Sequence, residues 1–157
     1  MKKIKLTQGK STLVDDEDYE WISKLKWRYA SNGSAVRNSS RHLGAQKVLQ
    51  LHRIIMNAPD GLVVDHINGD RLDNRKQNLR VCSQSQNSMN RSVATNNSCG
   101  YKGVYFHKGK QKWYAHITCN GKQKHIGAFS APEDAARAYN QRALELFGEF
   151  SKLNGGV

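Results

Sequence analysis

The most informative part of the sequence is LHRIIMNAPDGLVVDHINGDRLDNRKQNLRVCSQSQNSMNR, residues 51–91. Its apolar run 62–64 predicts a short strand that ends at Asp65 and His66. The dipeptide Asn68-Gly69 then gives a strong turn signal. Acidic and imidazole side chains are therefore expected at the end of a strand, just before a long polar loop.

A second short strand is predicted over Leu79–Cys82. Ser83 and Gln86 match the S-x-x-Q pattern of a helix start, so a helix is expected from Ser83. The resulting order is strand, long loop, strand and helix. Three neighbouring elements present a small polar set, which comprises Asp65, His66, Asn78 and Asn87.

These residue types suit the hydrolysis of a phosphodiester, which needs an activated water and neutralisation of charge on the leaving oxygen. A histidine of near-neutral pKa can take the proton from water. A carboxylate and an amide oxygen, with few other ligands, suit Mg²⁺ or Mn²⁺. A zinc site would need more histidine or cysteine ligands.

The spacing resembles a known family. Asn78 follows the Asp65-His66 pair twelve residues after the histidine, and Asn87 follows nine residues later. This resembles the HNH nuclease motif in its D-H…N…N form. The flanking segments LHRIIM, DHINGDRLDN and NLRVCSQSQN resemble the HNH homing endonucleases of phages and mobile introns.

The resemblance implies a ββα-metal fold and a role for each residue of the motif. His66 is expected to be the general base, and Asp65 and Asn87 are expected to ligate one Mg²⁺ or Mn²⁺ ion. Asn78 is expected to fix the loop that holds His66. The blander interpretation, in which Asp and Asn only form turns, requires four residues to match the family spacing by coincidence.

Basic residues surround the motif, and some are expected to bind phosphates. The candidates for DNA binding here are Arg53, Arg80 and Arg91. His52 lies on LHRII, which the apolar run predicts as a strand, and it can be a supporting residue or one that contacts substrate.

Composition narrows the class of protein. The chain has 157 residues and a net charge of +12, which favours a polyanionic partner. No apolar run reaches the roughly 18 residues of a membrane span, and the basic start lacks the apolar stretch of a secretory signal. The three cysteines are far apart and form no CxxC pair, so free thiols are expected. The expected location is the cytoplasm of a bacterial or phage-infected cell.

The chain is expected to divide into four segments within an α+β fold. Residues 1–50 form a small α/β scaffold, with strands around the turn at Gln8 and Gly9, a helix and a hairpin. Residues 51–91 form the nuclease core. The uncharged 92–100 reads as a linker, and 101–154 form a compact module of their own.

The C-terminal module contains three alternating runs, 103–107, 112–118 and 122–129, which predict a three-stranded antiparallel sheet. Asn120-Gly121 is a type I′ hairpin signal. The pattern after Ser130 predicts one helix packed on the sheet. Alternation puts apolar residues on one face and basic, aromatic and imidazole side chains on the other, a shape that fits the major groove.

This module resembles the ethylene-responsive-factor, or APETALA-type, DNA-binding domain in KGVYFHKGKQKWYAHI and HIGAFSAPEDAARAYNQRALELFGEFSKLN. In that family the exposed face of the sheet contacts DNA. Several of the positions are Arg or Trp in the plant proteins, so their base preference does not transfer. The expected DNA-binding residues are Lys102, Tyr105, His107, Lys110, His116, Thr118, Gln123 and His125.

The combined expectation is a metal-dependent HNH homing endonuclease, a hydrolase of ester bonds that cuts double-stranded DNA at a recognised site. The middle segment cuts and the last segment binds DNA. The protein is expected to act as a monomer, without a membrane or a small-molecule substrate. Two alternatives stay open, a non-catalytic DNA-binding regulator and an RNA-binding protein.

Overall fold

A computed structural model describes residues 1–40, 45–90, 93, 97 and 99–157. The chain divides into two compact units, Met1–Gln84 and Ser85–Val157, and both combine small sheets with helices. Arg91 and most of the predicted linker 92–100 lie outside the described residues.

The first unit contains three small antiparallel sheets. The helices are α1 (Asp16–Ser23) and α2 (Leu51–Ile55), and a 3₁₀ turn covers Lys76–Asn78. The strands are β1 (Lys2–Lys5), β2 (Ser11–Val14), β3 (Arg28–Tyr29), β4 (Ala35–Asn38), β5 (Val48–Gln50), β6 (Val63–His66) and β7 (Leu79–Cys82).

One apolar core holds the N-terminal scaffold together. Strands β1 and β2 pair antiparallel around the predicted turn, and β4 pairs with β3 on one side and β5 on the other. Helix α1 packs on this core, and the indole N–H of Trp27 donates to the carbonyl of Ile22 at 3.0 Å. The fully or nearly buried members are Ile4, Leu6, Val14, Ile22, Trp27, Ala35 and Leu51.

The segment LHRII forms the helix α2 rather than the predicted strand. Leu51 is fully buried and Ile55 packs against the same core, and residues four apart lie on one side of a helix. Ile54, which a strand would bury on the opposite face, is 37% exposed. The prediction failed because a five-residue apolar run fits a buried strand and a short helix equally well.

The second unit is one sheet packed on one long helix. Its strands are β8 (Val104–His107), β9 (Lys112–Cys119) and β10 (Lys122–Phe129), with β9 in the centre. The short helix α3 (Gln84–Met89) begins at the boundary of the units, and the helix α4 (Pro132–Phe147) packs on the sheet.

The core of the second unit lies between β9 and α4. Buried small residues, among them Ala115 and Ala135, let the helix lie close to the sheet. Tyr139 is buried, and the β9–β10 turn has positive φ at Asn120 and Gly121, as the predicted type I′ turn requires. The helix predicted after Ser130 is α4, and its N-cap, Ala131, makes no side-chain cap.

The three cysteines, Cys82, Cys99 and Cys119, are free thiols, as predicted. Among the described residues, no helix combines the length and the apolar character that crossing a membrane demands.

Candidate active site

A two-stranded hairpin presents the two central residues of the motif. Strand β6 ends with Asp65 and His66, which pair across the hairpin with Arg80 and Leu79 of β7. Asp65 is 6% exposed and His66 is 7% exposed. Two consecutive ionisable residues are therefore buried where β6 meets the loop 67–75.

Asn78 closes that loop at both ends. Its side-chain oxygen accepts from the backbone N–H of Asn68 at 3.0 Å, and its amide group donates to the side-chain oxygen of Asn68 at 3.0 Å. The same amide group donates to the backbone carbonyl of Asp73 at 2.8 Å. These bonds span ten residues and hold the chain that follows His66 in one conformation.

A second buried amide contacts His66 directly. Nε2 of His66 lies 3.2 Å from Oδ1 of Asn74, which has no exposed surface. The amide group of Asn74 donates to Oγ1 of Thr12 at 2.7 Å, and the Thr12 hydroxyl donates to the carbonyl of Leu72 at 2.7 Å. A chain of hydrogen bonds thus links the imidazole to β2.

His52 of α2 packs against His66 with its ring edge. The ring centroids are 5.1 Å apart and the ring planes make an angle of 83°. Nε2 of His52 lies 3.1 Å from Oε1 of Gln50, and Nδ1 is buried without a hydrogen-bond partner among the residues that the structure describes. His52 therefore supports the His66 ring from one side.

The surroundings keep both imidazoles neutral near pH 7. Burial lowers the pKa of His66, and the hydrogen bond to Asn74 and the charge of Asp65 counteract only part of that effect. Burial, with the charges of His66, Arg53 and Arg71, lowers the pKa of His52 to about 4. A neutral imidazole can accept a proton, which a general base requires.

Arg80 forms an ion pair with Asp65. Its Nε and Nη2 atoms lie 3.0 Å and 2.7 Å from Oδ2 of Asp65, and both side chains are largely buried. Arg80, a predicted phosphate contact, therefore binds the predicted metal ligand in this structure.

The other predicted residues of the core have separate positions. The guanidinium group of Arg53 donates to the carbonyls of Leu62, Ala58 and Pro59, and so it ties down the loop after α2. Asn87 lies in α3, within the second unit. Arg91 lies outside the described residues.

The predicted DNA-binding residues of the second unit gather on one face of its sheet. Tyr114 lies among them, with its ring centroid 5.7 Å from that of Tyr105 and 5.4 Å from those of His107 and His125. Lys110 places its ammonium 5.9 Å from the Tyr114 ring centre. We call this surface the Tyr114 face, and it comprises Tyr105, His107, Lys110, Tyr114, His116 and His125.

Three predicted contacts lie beside or apart from the Tyr114 face. Thr118 and Gln123 pair across β9 and β10, next to the pair of His116 and His125. Lys102 precedes β8, and its ammonium donates to the carbonyl of Met89 at 2.7 Å. Burial lowers the pKa of Lys102 to about 8. Because its ammonium group is bound to Met89, Lys102 would have to break this hydrogen bond to contact DNA.

Sequence reasoning missed several residues of these sites. Thr12 and Asn74 are separated by 62 positions, and no local pattern joins them. Tyr114 could have been found, because alternation along β9 puts it on the same face as His116.

Comparison with known proteins places this chain in a family. A family model described as HNH endonuclease matches residues 50–89. The uncharacterized HNH endonuclease L560 of Acanthamoeba polyphaga mimivirus is 35% identical over an alignment that covers 95% of this chain and 78% of that protein. The chain belongs to the HNH endonuclease family. Membership indicates a nuclease that acts on DNA.

Two further relatives match parts of this HNH endonuclease chain. Protein 3.8 of Escherichia phage T7 is 33% identical over 95 residues, which cover 60% of this chain and 78% of that protein. APETALA2-like protein 2 of Oryza sativa subsp. indica is 37% identical over 57 residues, which cover 36% of this chain and 13% of that protein.

Proposed function

We propose that this protein is a metal-dependent endonuclease of the homing type, which hydrolyses phosphodiester bonds in double-stranded DNA at a recognised site. The observation that carries the proposal is the buried pair at the end of β6. His66 is neutral and bonded through Nε2 to Asn74, and it directly follows the buried Asp65, whose charge acts on the ring. Asn78 fixes the loop that follows the pair.

The chain's own residues account for activation of water and for positioning. His66 removes a proton from the water that attacks the phosphorus atom, since its lowered pKa leaves the ring neutral near pH 7. The edge of the His52 ring limits rotation of the imidazole. The loop held by Asn78 supports the backbone at His66, because Ile67 donates to the carbonyl of Asn78 at 2.9 Å.

The donor chemistry fits a hard divalent cation such as Mg²⁺ or Mn²⁺. Asp65 offers a carboxylate and Asn87 an amide oxygen, and such cations prefer oxygen ligands. Within the described ranges, no group of three His, Cys, Asp or Glu side chains could hold a metal ion. When bound, the cation would stabilise the charge that develops on the phosphate and the leaving oxygen.

Arg80 modifies this fit, because its guanidinium group already binds Oδ2 of Asp65. A cation that ligates this oxygen must share it with Arg80 or displace Arg80. In the second case the released guanidinium becomes available to a DNA phosphate, which is the role predicted for it.

The Tyr114 face is the proposed DNA-binding surface of the second unit. It combines aromatic rings, imidazoles and an ammonium group on one side of a sheet, and Tyr105 is 44% exposed. The partial similarity to an APETALA2-like protein supports this assignment. The nuclease core and this sheet would then bind the same DNA.

The test is conversion of supercoiled plasmid, carrying a randomised insert library, to nicked or linear DNA. Reactions contain Mg²⁺, Mn²⁺ or EDTA, and the wild type is compared with His66→Ala. We expect metal-dependent conversion by the wild type and a loss of at least about a hundredfold in the variant, because general-base catalysis contributes about this much. DNA binding by the variant should stay near that of the wild type.

The outcomes separate the two functions. Metal-dependent cleavage that persists in His66→Ala would contradict the mechanism. Binding without conversion in any metal, once a genomic library has excluded a missing target, would favour the DNA-binding regulator.

A further inference from the structure

We propose that Thr12, in the N-terminal hairpin, is a positioning residue for His66 and acts through Asn74. Together these two residues fix which ring nitrogen of His66 carries the proton. The inference rests on the proposed function for its consequence in cleavage, but the tautomer can be measured without it. Thr12 lies outside the 50–89 segment that matches the family model.

The backbone carbonyl of Leu72 can only accept a hydrogen bond, and this fixes the direction of the two bonds that Thr12 makes. The backbone carbonyl of Leu72 has no hydrogen to donate, so the Thr12 hydroxyl must donate to it, at 2.7 Å. That hydroxyl has one hydrogen, so its oxygen is the acceptor toward Asn74, at 2.7 Å. The amide nitrogen of Asn74 must therefore face Thr12.

The orientation of the Asn74 amide then settles the tautomer. With its nitrogen on Thr12, and 3.3 Å from the carbonyl of Arg71, Asn74 turns Oδ1 toward His66. Oδ1 can only accept, so Nε2 of His66, 3.2 Å away, must carry the proton. In the neutral ring the basic lone pair is then on Nδ1.

The backbone holds this arrangement in place. The N–H of Leu13 donates to the carbonyl of Leu72 at 2.8 Å, and the N–H of Asn74 donates to the carbonyl of Leu13 at 2.9 Å. Thr12 and Asn74 have no exposed surface, so water does not compete for their polar groups. The N-terminal hairpin thus reaches the candidate active site through Thr12 and Leu13.

The matched variants are Thr12→Val and Thr12→Ser. Valine keeps the shape of threonine but removes the hydroxyl, so the Asn74 amide loses its 2.7 Å acceptor and keeps only the longer contact, 3.3 Å, with the carbonyl of Arg71. The amide can then flip in part of the population. Its nitrogen would then face Nε2 of His66 and favour the tautomer with the proton on Nδ1. Serine keeps the hydroxyl and so retains the orientation.

The direct measurement is proton–nitrogen NMR of the His66 ring in the full chain at about pH 8, where the imidazole is neutral. The His66→Ala spectrum assigns its signals. We expect the proton on Nε2 in the wild type and in Thr12→Ser, and a population with the proton on Nδ1 in Thr12→Val. A wild-type ring with its proton on Nδ1 would overturn the proposal, whatever the variants do.

Cleavage kinetics provide the second readout. Thr12→Val should lower kcat by about ten- to a hundredfold, the usual loss when a residue that orients an active-site side chain is removed. KM should change little. Thr12→Ser should restore kcat. Unchanged kcat and tautomer in a folded Thr12→Val protein would refute the role of Thr12.

The two proposals fail in different ways. If the wild type cuts no DNA but shows the expected tautomer and the expected shift in Thr12→Val, the relay is supported and the nuclease assignment fails. If the wild type cuts DNA and Thr12→Val shows the same kcat and the same tautomer, the nuclease assignment is supported and the positioning role of Thr12 fails.

Discussion

His52 is a buried histidine whose protonation opposes folding. Its ring contacts His66, and the charges nearest to it, apart from His66, are those of Arg53 and Arg71. Burial is the largest cause of its lowered pKa, and these cations reinforce it. Protonation would place a third positive charge beside two guanidinium groups, in a site with little water.

Acid should therefore destabilise the protein through His52. The unfolded residue takes up a proton below its usual pKa of 6.5, whereas the folded residue stays neutral down to about 4. Between these values the unfolded state binds more protons, so the free energy of unfolding falls as the pH falls, by about 3 kcal/mol in total. Urea unfolding from pH 7 to pH 4 measures this loss.

His52→Phe is the control variant, since it keeps a ring beside His66 and removes the titrating group. Its free energy of unfolding should fall less steeply over the same window, and the remaining slope includes the contribution of His66, whose pKa is also lowered by burial. Identical acid profiles for the wild type and the variant would show that His52 does not control the transition.

At the residue scale, the sequence predicted the side chains whose spacing is local. Asp65, His66 and Asn78 lie within fourteen residues, and the loop between them is closed by bonds among its own members. The role of Thr12 could not be predicted, because its hydroxyl group meets Asn74 only when β2 packs beside the loop 67–75. A threonine in an alternating strand has the same local signature with or without that contact.

At the scale of elements, the residue just before β8 is a glycine, Gly103, that no other residue can replace without strain. Gly103 has φ of 75°, and a Cβ atom there would lie 2.4 Å from the Tyr139 ring and 2.5 Å from the carbonyl of His116. The close approach lets His116 donate its N–H to the carbonyl of Gly103 at 2.9 Å. The sheet and the helix α4 thus meet at this position.

Gly103→Ala should destabilise the second unit by more than about 2 kcal/mol, since it adds a steric clash to the unfavourable φ. Gly121→Ala is the matched control, because Gly121 has φ of 72° but open space around its Cα. The control should cost only about 1 kcal/mol. If urea unfolding shows the same loss of unfolding free energy in both variants, the Tyr139 ring moves away from the added methyl group at no cost.

Elements with a clear period were predicted well, and short ones without a period were not. The strands β9 and β10 alternate over eight residues each, and their positions follow from that pattern. LHRII has only five residues, so its helix depends on the tertiary core that Leu51 and Ile55 enter. The helix predicted after Ser130 begins at Pro132, because proline is favoured at the first helical position.

At the scale of the whole molecule, the net charge of +12 provides a field that attracts any polyanion. Such a field does not distinguish a DNA-contacting surface from a merely basic one. A side chain that contacts a DNA phosphate displaces counterions from the DNA backbone, whereas a distant charge does not. Each phosphate neutralised changes the slope of log K against log salt concentration by about 0.9, so this slope identifies the contacts.

Lys110 and Arg137 allow that distinction to be made at constant net charge. Lys110 lies over the Tyr114 ring on the proposed binding face. Arg137 lies on α4, which packs against the sheet, and it pairs with Asp134 on the surface. Lys110→Gln and Arg137→Gln each remove one positive charge, so their effects on the overall field are equal.

We expect Lys110→Gln to reduce the salt slope of DNA binding by about 1, and Arg137→Gln to leave it unchanged. The measurement is DNA affinity by fluorescence anisotropy over a series of salt concentrations, with the full chain and a fixed duplex. Equal reductions in both variants would assign the effect to the overall field. A slope unchanged in Lys110→Gln would move the contact away from the Tyr114 face, because a cation that touches a phosphate cannot be lost without a change in counterion release.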